Sequence, residues 1–463
     1  MVRILKEMPG LTAKLSRTFS DLSCTAFRLS PYVVSTKADN GLLVFTTLTC
    51  AFLHIDSVFS VDELCRKAKE DPELRRTLLL HRVLIPENFD EQKFCEQLRA
   101  LLLGEKKRLL RGRKNGYIIF TTTACNARCY YCFEHGYVPV TMTEETARKA
   151  AEYIEAHANG EVTLTWFGGE PLVNTKAIDS ITAYLEERGI SFRSHIVTNA
   201  WLFTPELIQR AKKQWHLENA QITLDGTREN YNRIKAYVNG DADDYSRVLG
   251  NIKALAENDV HISLYLTLSR ENEEDLYALL TELAPMMKEN PERFSVLPNL
   301  LQQYGGAADE DEMQQKLIGM WKWLRINGML PEPKLPQNLC LSSCTADNPG
   351  TVVIQADGGL HCCDHIGESR PYGSVFEEDM DKAVIRWWAE RRAAIPDCDG
   401  CALYPQCLRL AHCPAKKFAC TKLTREDRIS SIKAAMKNVT VHSVHSNWKT
   451  PMNTVQPPEK VYV

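Results

Sequence analysis

The middle of the chain alternates short apolar runs with amphipathic stretches. The apolar runs predict β-strands at 116–120, 161–166, 191–197, 221–224, 261–268 and 294–297. The stretches between them predict helices, and two of these begin at typical start signals, Thr143 as an N-cap and Pro205 at a first helical position. About six strand–helix units in succession are typical of a parallel α/β fold, either an open sheet or a full or partial barrel.

The residues before this region follow a different pattern. Apolar stretches at 32–36 and 42–46 flank Asp39-Asn40-Gly41, which is a strong hairpin signal. Helical patterns follow at 61–69 and 90–103. A hairpin beside a few helices is similar to a winged-helix module, and a plain structural appendage is the alternative interpretation. Beyond Pro336 the chain is rich in cysteines and turns, so bound metal would have to supply much of its stability.

These changes of pattern divide the chain into six predicted segments. They are an N-terminal extension (1–26), a winged-helix-like module (27–105), an α/β core (106–300), a helical linker (301–336), a cysteine-rich cluster-binding domain (337–425) and a C-terminal tail (426–463). The tail lacks a convincing apolar core pattern from Asn438 onward.

Composition narrows the class of protein. The 463 residues carry a net charge of -3, with 44% hydrophobic and 25% charged residues, as in an ordinary globular protein. The balanced charge gives no sign of nucleic-acid binding or of a basic membrane anchor. No apolar run approaches the roughly 18 residues of a membrane span, and the first residues lack the apolar stretch of a secretory signal. We therefore expect a cytoplasmic protein without nucleic-acid or membrane partners.

The 16 cysteines are clustered. Three lie between Cys125 and Cys132, nine lie between Cys340 and Cys420, and none lies between these two groups. In a reducing compartment, dense thiols indicate metal binding rather than disulfides. The four cysteines before the core are expected to be ordinary buried apolar residues.

The first cluster spaces Cys125, Cys129 and Cys132 as C-x3-C-x2-C. Three thiolates can hold a cubane iron–sulfur cluster and leave its fourth iron open, whereas structural zinc normally takes four protein ligands. This motif resembles the radical S-adenosylmethionine (radical SAM) superfamily. The resemblance implies a partial (β/α)6 TIM-type barrel and a [4Fe–4S] cluster whose open iron binds SAM. One-electron reduction then yields a 5′-deoxyadenosyl radical, and Tyr131 matches a position that approaches the adenine.

Further motifs follow the next three predicted strands. The segment Trp166-Phe-Gly-Gly-Glu-Pro resembles the family's SAM-amino-binding segment, in which glycines allow a close approach and a carboxylate accepts hydrogen bonds from the ammonium. Val197-Thr198-Asn199 and Ile222-Thr-Leu-Asp-Gly226 resemble two further family segments, and plain turns are the alternative for each. The resemblance implies SAM contacts by five residues of these segments, Gly168, Gly169, Glu170, Asn199 and Asp225. Whether Lys235 or Arg233 takes the place of a family arginine stays open.

The later cysteines resemble the SPASM extension of radical SAM enzymes, which binds two auxiliary [4Fe–4S] clusters. One cluster would use Cys340, Cys344, Cys363 and Cys413, and the other Cys398, Cys401, Cys407 and Cys420. The spacing selects Cys363 over Cys362, although Cys362 is the alternative ligand. Cys413 and Cys420 depart from the family spacing. Zinc is the rival metal because a four-cysteine site with a C-x2-C knuckle suits it, and His361, His365 and His412 could join such a site.

The same resemblance suggests a function. Asp364 follows Cys363, and in anaerobic sulfatase-maturating enzymes an aspartate here takes a proton during substrate oxidation; an ordinary turn residue is the alternative. SPASM enzymes mostly modify peptides and proteins, and the winged-helix-like module at 27–103 resembles the element with which many of them bind a leader peptide as an added strand. Sulfatase-maturating enzymes usually lack this element. We predict a maturase that installs a thioether, carbon–carbon or related cross-link in a ribosomally made precursor peptide, with flavodoxin or ferredoxin as reductant. The alternatives are a sulfatase-maturating enzyme that forms formylglycine and a zinc or iron–sulfur binding protein without catalysis.

Overall fold

The structure is a computed structural model, which describes most of the chain. The described residues are 2–6, 21–132, 134, 136, 138–301, 307–330, 332–339, 341, 345–365, 370–389, 398, 400–407 and 422–443. Four of the predicted cluster ligands, Cys340, Cys344, Cys413 and Cys420, lie outside these residues, as does His412.

Six parallel strands in chain order form the central sheet. They are β7 (Lys114–Thr122), β8 (Ala158–Gly168), β9 (Phe192–Thr198), β10 (Leu217–Leu224), β11 (His261–Leu268) and β12 (Phe294–Leu300). Each pairs in parallel with the next, from β7 with β8 through to β11 with β12. Alternate strand residues such as Ile119, Leu164 and Ile222 are fully buried. The predicted α/β class with a partial parallel barrel is confirmed.

The helices that cover this sheet lie where the periodicity predicts them, except for a short helix at 228–235, which was not predicted. They are α4 (Glu144–His157), α5 (Thr175–Glu187), α6 (Pro205–Lys213), α7 (Arg228–Lys235), α8 (Asp244–Glu257) and α9 (Glu273–Glu289). The Thr143 hydroxyl accepts a hydrogen bond from the Thr146 amide, and the Thr204 hydroxyl accepts one from the Leu207 amide. Both predicted start signals therefore mark capped helices. The helix α10 (Ala307–Ile326) follows β12.

The cysteine-rich region adds three strands to the same sheet. Strand β13 (Thr351–Ile354) pairs in parallel with β7, and β14 (Gly359–His361) and β15 (Gly373–Ser374) continue the sheet in antiparallel order. Val352, Val353 and Ile354 are fully buried in the barrel core. Contrary to the expectation that metal supplies much of its stability, this part of the region packs as ordinary sheet. A short helix, α11 (Lys382–Ala389), follows.

The N-terminal module contains the predicted hairpin. Its strands β3 (Val33–Ala38) and β4 (Gly41–Thr46) pair around the Asp39-Asn40 turn, and β5 (Phe52–Asp56) and β1 (Val2–Lys6) extend the sheet in the order β1-β5-β4-β3. A small sheet of β2 (Phe27–Leu29) and β6 (Leu84–Pro86) accompanies it. The module's helices are α1 (Val61–Glu70), α2 (Pro72–Leu80) and α3 (Glu91–Leu110).

A C-terminal helix joins this module to the rest of the chain. Helix α12 (Lys422–Ser443) packs Ile432, Ala435 and Met436 against Val34 and Phe45 of the module's sheet. The sequence predicts no apolar core pattern in the tail from Asn438 onward. The buried residues of α12 precede Asn438, so they do not conflict with that prediction. Within the described part of the chain, no helix has the length and apolarity needed to cross a membrane.

Candidate active site at the carboxyl ends of the barrel strands

Four consecutive barrel strands end at the predicted motifs. Strand β7 leads into the cysteine loop, β8 ends at Gly168, β9 ends at Thr198 and β10 ends just before Asp225. Carboxyl ends of parallel strands meet at one rim, which is where barrel enzymes carry their chemistry. The sequence motifs therefore converge on one rim of the barrel.

The cysteine loop is tied to the loop that follows helix α7. The Arg128 amide donates to the Lys235 carbonyl at 2.8 Å, and the Val238 amide donates to the Asn126 carbonyl at 2.9 Å. Inside the loop, the Cys132 amide donates to the Cys129 carbonyl at 3.1 Å. These backbone bonds hold the loop without using the thiols, which stay available as ligands.

The three thiols belong to one short loop and are partly buried. Burial is the main cause that raises the pKa of Cys125 to about 12, and the nearby Glu170, Cys129 and Cys132 act in the same direction. Burial likewise raises the pKa of Cys129 and Cys132. The Cys125 sulfur accepts the Ala127 amide at 3.4 Å. Because thiolates are the metal-binding form, cluster assembly would have to displace protons from this loop.

Gly168 and Gly169 bring the ends of β7 and β8 close together. Gly168 has a φ of +136°, and a Cβ there would lie 2.0 Å from the Thr122 carbonyl oxygen. A Cβ at Gly169 would lie 2.5 Å from the Ala124 carbonyl oxygen. Both contacts are with backbone, which has no room to give way. The glycine pair is thus required for the cysteine loop to cross directly over the end of β8.

Glu170 is fully buried beside this crossing. Its carboxylate accepts the Asn199 amide at 2.8 Å, the Thr198 hydroxyl at 2.8 Å and the Leu172 amide at 3.1 Å. Burial raises the pKa of Glu170 to about 7 although these bonds favour the charged form. A bound ammonium group would supply the missing positive charge.

Asp225 stands at the centre of a buried polar group. Its carboxylate accepts the Tyr131 hydroxyl at 2.6 Å and lies 2.9 Å from the Lys235 ammonium. Burial favours a lower pKa for Lys235, but the charge of Asp225 opposes this and the pKa rises well above its usual value. Arg233 is exposed and donates locally to Asn230 at 2.9 Å. The structure therefore places Lys235, and not Arg233, at the site.

Two buried polar side-chain atoms belong to the cysteine loop or to the residues just after it. Among the described residues, neither the Asn126 Nδ2 nor the Glu134 Oε1 has a hydrogen-bond partner, although both are buried. Burial raises the pKa of Glu134 to about 7. Unsatisfied buried groups are costly and are typical of ligand sites. The residues present fit a polar cofactor beside the thiols. The burial of Glu134 was not predicted, because only its position after the cysteines hints at it.

Comparisons with known proteins agree with this geometry. Residues 119–283 match the model of the radical SAM superfamily. Residues 119–283 form a radical SAM domain. The radical SAM cyclopropyl synthase TigE of Paramaledivibacter caminithermalis is 25% identical over 230 residues, which are 46% of this chain and 47% of the relative. The uncharacterized protein MJ0907 of Methanocaldococcus jannaschii is 28% identical over 126 residues, which are 27% of this chain and 42% of the relative.

Solved structures resemble the chain in fold. A structure of anSMEcpe with bound AdoMet and a Cp18Cys peptide aligns with a TM-score of 0.52 at 16% identity, covering 72% of this chain and 99% of that one. This likeness extends the shared fold beyond the radical SAM domain. The chain spans less than half the length of the two curated relatives, at 47% and 42%.

Beyond the radical SAM domain, two adjacent cysteines follow strand β14. The Cys363 sulfur accepts the His365 amide at 3.4 Å, which repeats the bond from Ala127 to Cys125. The Cys363 thiol also lies 3.7 Å from the Asp364 carboxylate. Cys362 instead lies near Lys114, and burial raises its pKa to about 11. The two thiols thus have different surroundings, and only that of Cys363 resembles the core loop.

The loop with Cys398, Cys401 and Cys407 packs against the N-terminal module. Tight turns link the three residues, since the Cys401 amide donates to the Cys398 carbonyl and the Cys407 amide to the Tyr404 carbonyl. The Gln406 side-chain amide donates to the Thr47 carbonyl at 2.7 Å. These contacts between distant segments were not predicted.

Two further contacts fix the same loop. The Arg99 guanidinium donates to the Cys407 carbonyl at 2.9 Å and also to the Tyr404 carbonyl. The Tyr404 hydroxyl donates to Glu96 at 2.8 Å, and its ring stacks on Tyr32 with centroids 6.1 Å apart. The auxiliary thiols therefore lie in a loop that the module itself braces.

No described group of three His, Cys, Asp or Glu side chains converges on a point that would hold a single metal ion. A cubane cluster takes one thiolate for each iron, so its ligands need not meet at one point. Of the cysteines before the core, Cys50 and Cys95 are fully buried as expected, while Cys24 and Cys65 are partly buried.

Proposed function

We propose that this chain is a radical SAM enzyme that modifies a ribosomally made peptide. The observation that supports it most is the rim at which the cysteine loop, the glycine pair and Glu170 meet. The match over residues 119–283 independently indicates SAM and one [4Fe–4S] cluster. We propose the segments given above as its domain organisation, with strand β1 added to the N-terminal module and the start of the tail set by helix α12.

The thiols of Cys125, Cys129 and Cys132 would hold the cluster. When bound, the cluster and SAM supply one-electron chemistry that starts on SAM. Gly168 and Gly169 would let SAM lie against the backbone, and Glu170 would accept hydrogen bonds from its ammonium group. Three further residues, Asn199, Tyr131 and Asp225, would orient the rest of SAM.

The buried rim contributes a second effect. Glu170 and Asp225 are completely inaccessible to solvent, and the strands around them are lined with buried aliphatic residues. A reactive radical must be kept from water and stray hydrogen donors, and these buried residues would contribute to that shielding. The protein's part in the reaction is thus to bind, orient and shield.

Two auxiliary [4Fe–4S] clusters are the second part of the proposal. One would be held by Cys340, Cys344, Cys363 and Cys413, and the other by Cys398, Cys401, Cys407 and Cys420. The hydrogen bond from the His365 amide to the Cys363 sulfur favours Cys363 over Cys362 as the cluster ligand. Zinc at these sites is the alternative. Asp364, beside Cys363, would take the proton that leaves when the substrate is oxidised.

A peptide substrate is supported by the architecture and by the relatives. TigE is named a cyclopropyl synthase, and anSMEcpe was solved with a bound peptide. We propose a precursor peptide whose leader binds the N-terminal module and whose core receives a thioether or carbon–carbon cross-link. Flavodoxin or ferredoxin would supply the electron. Formylglycine formation on a sulfatase is the alternative, since anSMEcpe shares the fold.

Anaerobic reconstitution of the full chain with iron, sulfide, SAM and dithionite tests the proposal. We expect 5′-deoxyadenosine, together with iron and sulfide in excess of one cluster per chain. Absence of 5′-deoxyadenosine would end the enzyme proposal, and bound zinc with iron for only one cluster would end the auxiliary-cluster proposal. Deletion of residues 1–105 is a poor test of leader binding, because the module braces the Cys398–Cys407 loop.

A further inference from the structure

The outer strand of the module's sheet comes from the chain's own N-terminal segment. Strand β1 runs antiparallel to β5, with Val2 opposite Ile55, Arg3 opposite His54 and Ile4 opposite Leu53. An edge strand offers a row of backbone groups to any extended peptide. In this protein the β5 edge is already paired, by a five-residue strand.

Strand β1 is attached to a core that does not depend on it. None of its five residues is buried, and Ile4 is 47% exposed. By contrast, all six residues of β4 and the first four of β5 are buried. The pairing of β1 also slips in register between Ile4 and Lys6. The core beneath β4 and β5 is therefore formed largely without β1. Little buried apolar surface holds β1 on the β5 edge.

One polar contact gives β1 its specificity. The Arg3 guanidinium donates to the Asp56 carboxylate at 2.8 Å and lies 2.7 Å from His54 Nδ1. The Arg3 side chain is 51% exposed, so the ion pair selects a basic residue but contributes little stability. Val2 and Leu5 contact two different hydrophobic clusters of the module.

The other edge of the sheet is less suited to a peptide. Helix α12 packs beside β3, where Val34 and Ala38 belong to the cluster that holds Ile432 and Met436. The β5 edge lies on the far side of the sheet from β3. Among the described strands, an incoming strand at β5 would thus displace β1 alone.

We propose that Val2–Lys6 is a placeholder strand that covers the β5 edge, and that the substrate's leader peptide displaces it on binding. This inference rests on the proposed function, because it assigns a regulating strand to the module that would bind the leader. The partner is an extended segment antiparallel to β5, with a basic residue near Asp56 and aliphatic residues on both sides of it. Main-chain bonds give such a strand its affinity, and side-chain positions give it its specificity.

The test uses the full chain and a fluorescein-labelled peptide that contains the β1 sequence VRILK. Ile4→Pro removes an amide and is poorly tolerated in a strand, so it should release β1 and leave the β5 edge open. The matched control, Ile4→Thr, keeps the amide and the strand preference. We expect the labelled peptide to bind Ile4→Pro at least tenfold more tightly than the wild-type and Ile4→Thr chains.

Two further readouts make the outcome decisive. A labelled peptide with glutamate in place of its arginine should lose most of the gain, because it would face Asp56. Equal binding to Ile4→Pro and Ile4→Thr, with unchanged thermal unfolding, would overturn the inference. The proposed function is tested separately by wild-type 5′-deoxyadenosine formation, so an enzyme that cleaves SAM but shows no gain in peptide binding refutes the placeholder alone.

Discussion

Two of the described cysteine segments, the loops with Cys125–Cys132 and Cys398–Cys407, are held in place by different parts of the chain. The loop with Cys125–Cys132 is bonded to its own barrel, through the carbonyls and amides of the segment that follows α7. The loop with Cys398–Cys407 is bonded to the N-terminal module, through Thr47 and Arg99. The hydrogen bond from the Thr47 hydroxyl to the Ala402 carbonyl joins residues 355 positions apart.

This difference separates two kinds of dependence. The stability of the Cys125–Cys132 loop depends on the barrel to which it is bonded. The buried ion pair of Lys235 and Asp225 lies at the centre of that contact. The position of the Cys398–Cys407 loop depends on the N-terminal module. A substitution in the module should therefore disturb the thiols of this loop more than those of the Cys125–Cys132 loop. Variants of each brace should therefore affect different clusters.

The largest expected effect comes from the core brace. Lys235→Met leaves Asp225 buried without its positive partner, which costs about 3–5 kcal/mol in the free energy of unfolding. Urea unfolding of the metal-free chain measures this loss. Arg233→Met is the matched control, since Arg233 is exposed and we expect its unfolding free energy to change by less than about 0.5 kcal/mol. Similar losses of unfolding free energy in both variants would contradict the role of Lys235 as the charge partner of the buried Asp225.

The charge balance of Glu170 gives an effect that depends on pH. Its folded pKa, about 7, lies above the ordinary carboxyl value, so its contribution to stability is complete below about pH 4.5 and is lost as pH rises through 7. Glu170→Gln lacks this loss. Between pH 5 and 8, the metal-free wild type should lose up to about 3 kcal/mol relative to Glu170→Gln in urea unfolding. Parallel pH profiles for the two proteins would contradict a carboxyl group with a raised pKa.

The auxiliary brace gives a smaller and more selective effect. Arg99→Met removes charged hydrogen bonds to the Cys407 and Tyr404 carbonyls, which costs about 1–3 kcal/mol. After reconstitution, this variant should hold less iron than the wild type, while SAM cleavage persists. Arg76→Met, at an exposed arginine of the same module, is the control and should hold wild-type iron. Equal iron in both variants would show that the module does not brace the auxiliary site.

Local patterns predicted most of the core. Strands and helix caps are each encoded within a few consecutive residues, so periodicity is sufficient to find them, whereas the motifs at Cys125, Gly168 and Glu170 were found through their resemblance to family segments. The choice of Lys235 over Arg233 was not predictable, because the turn of helix α7 decides which side chain is buried.

Contacts between distant segments were beyond the sequence patterns. Strand β13 joins β7 across more than half of the chain, and Gln406 reaches Thr47. Neither the local periodicity nor the composition marks such pairs, since each is decided by tertiary packing. Strand β1 was missed for another reason: its five partly exposed residues do not alternate clearly enough to indicate a strand.

The most direct measurement compares SAM cleavage in two triple variants after anaerobic reconstitution. The account predicts that Cys125→Ala/Cys129→Ala/Cys132→Ala forms no 5′-deoxyadenosine. It also predicts that Cys398→Ala/Cys401→Ala/Cys407→Ala still forms it while holding less iron than the wild type. Cleavage that survives in the first variant would contradict the assignment of the radical-generating cluster to the barrel rim.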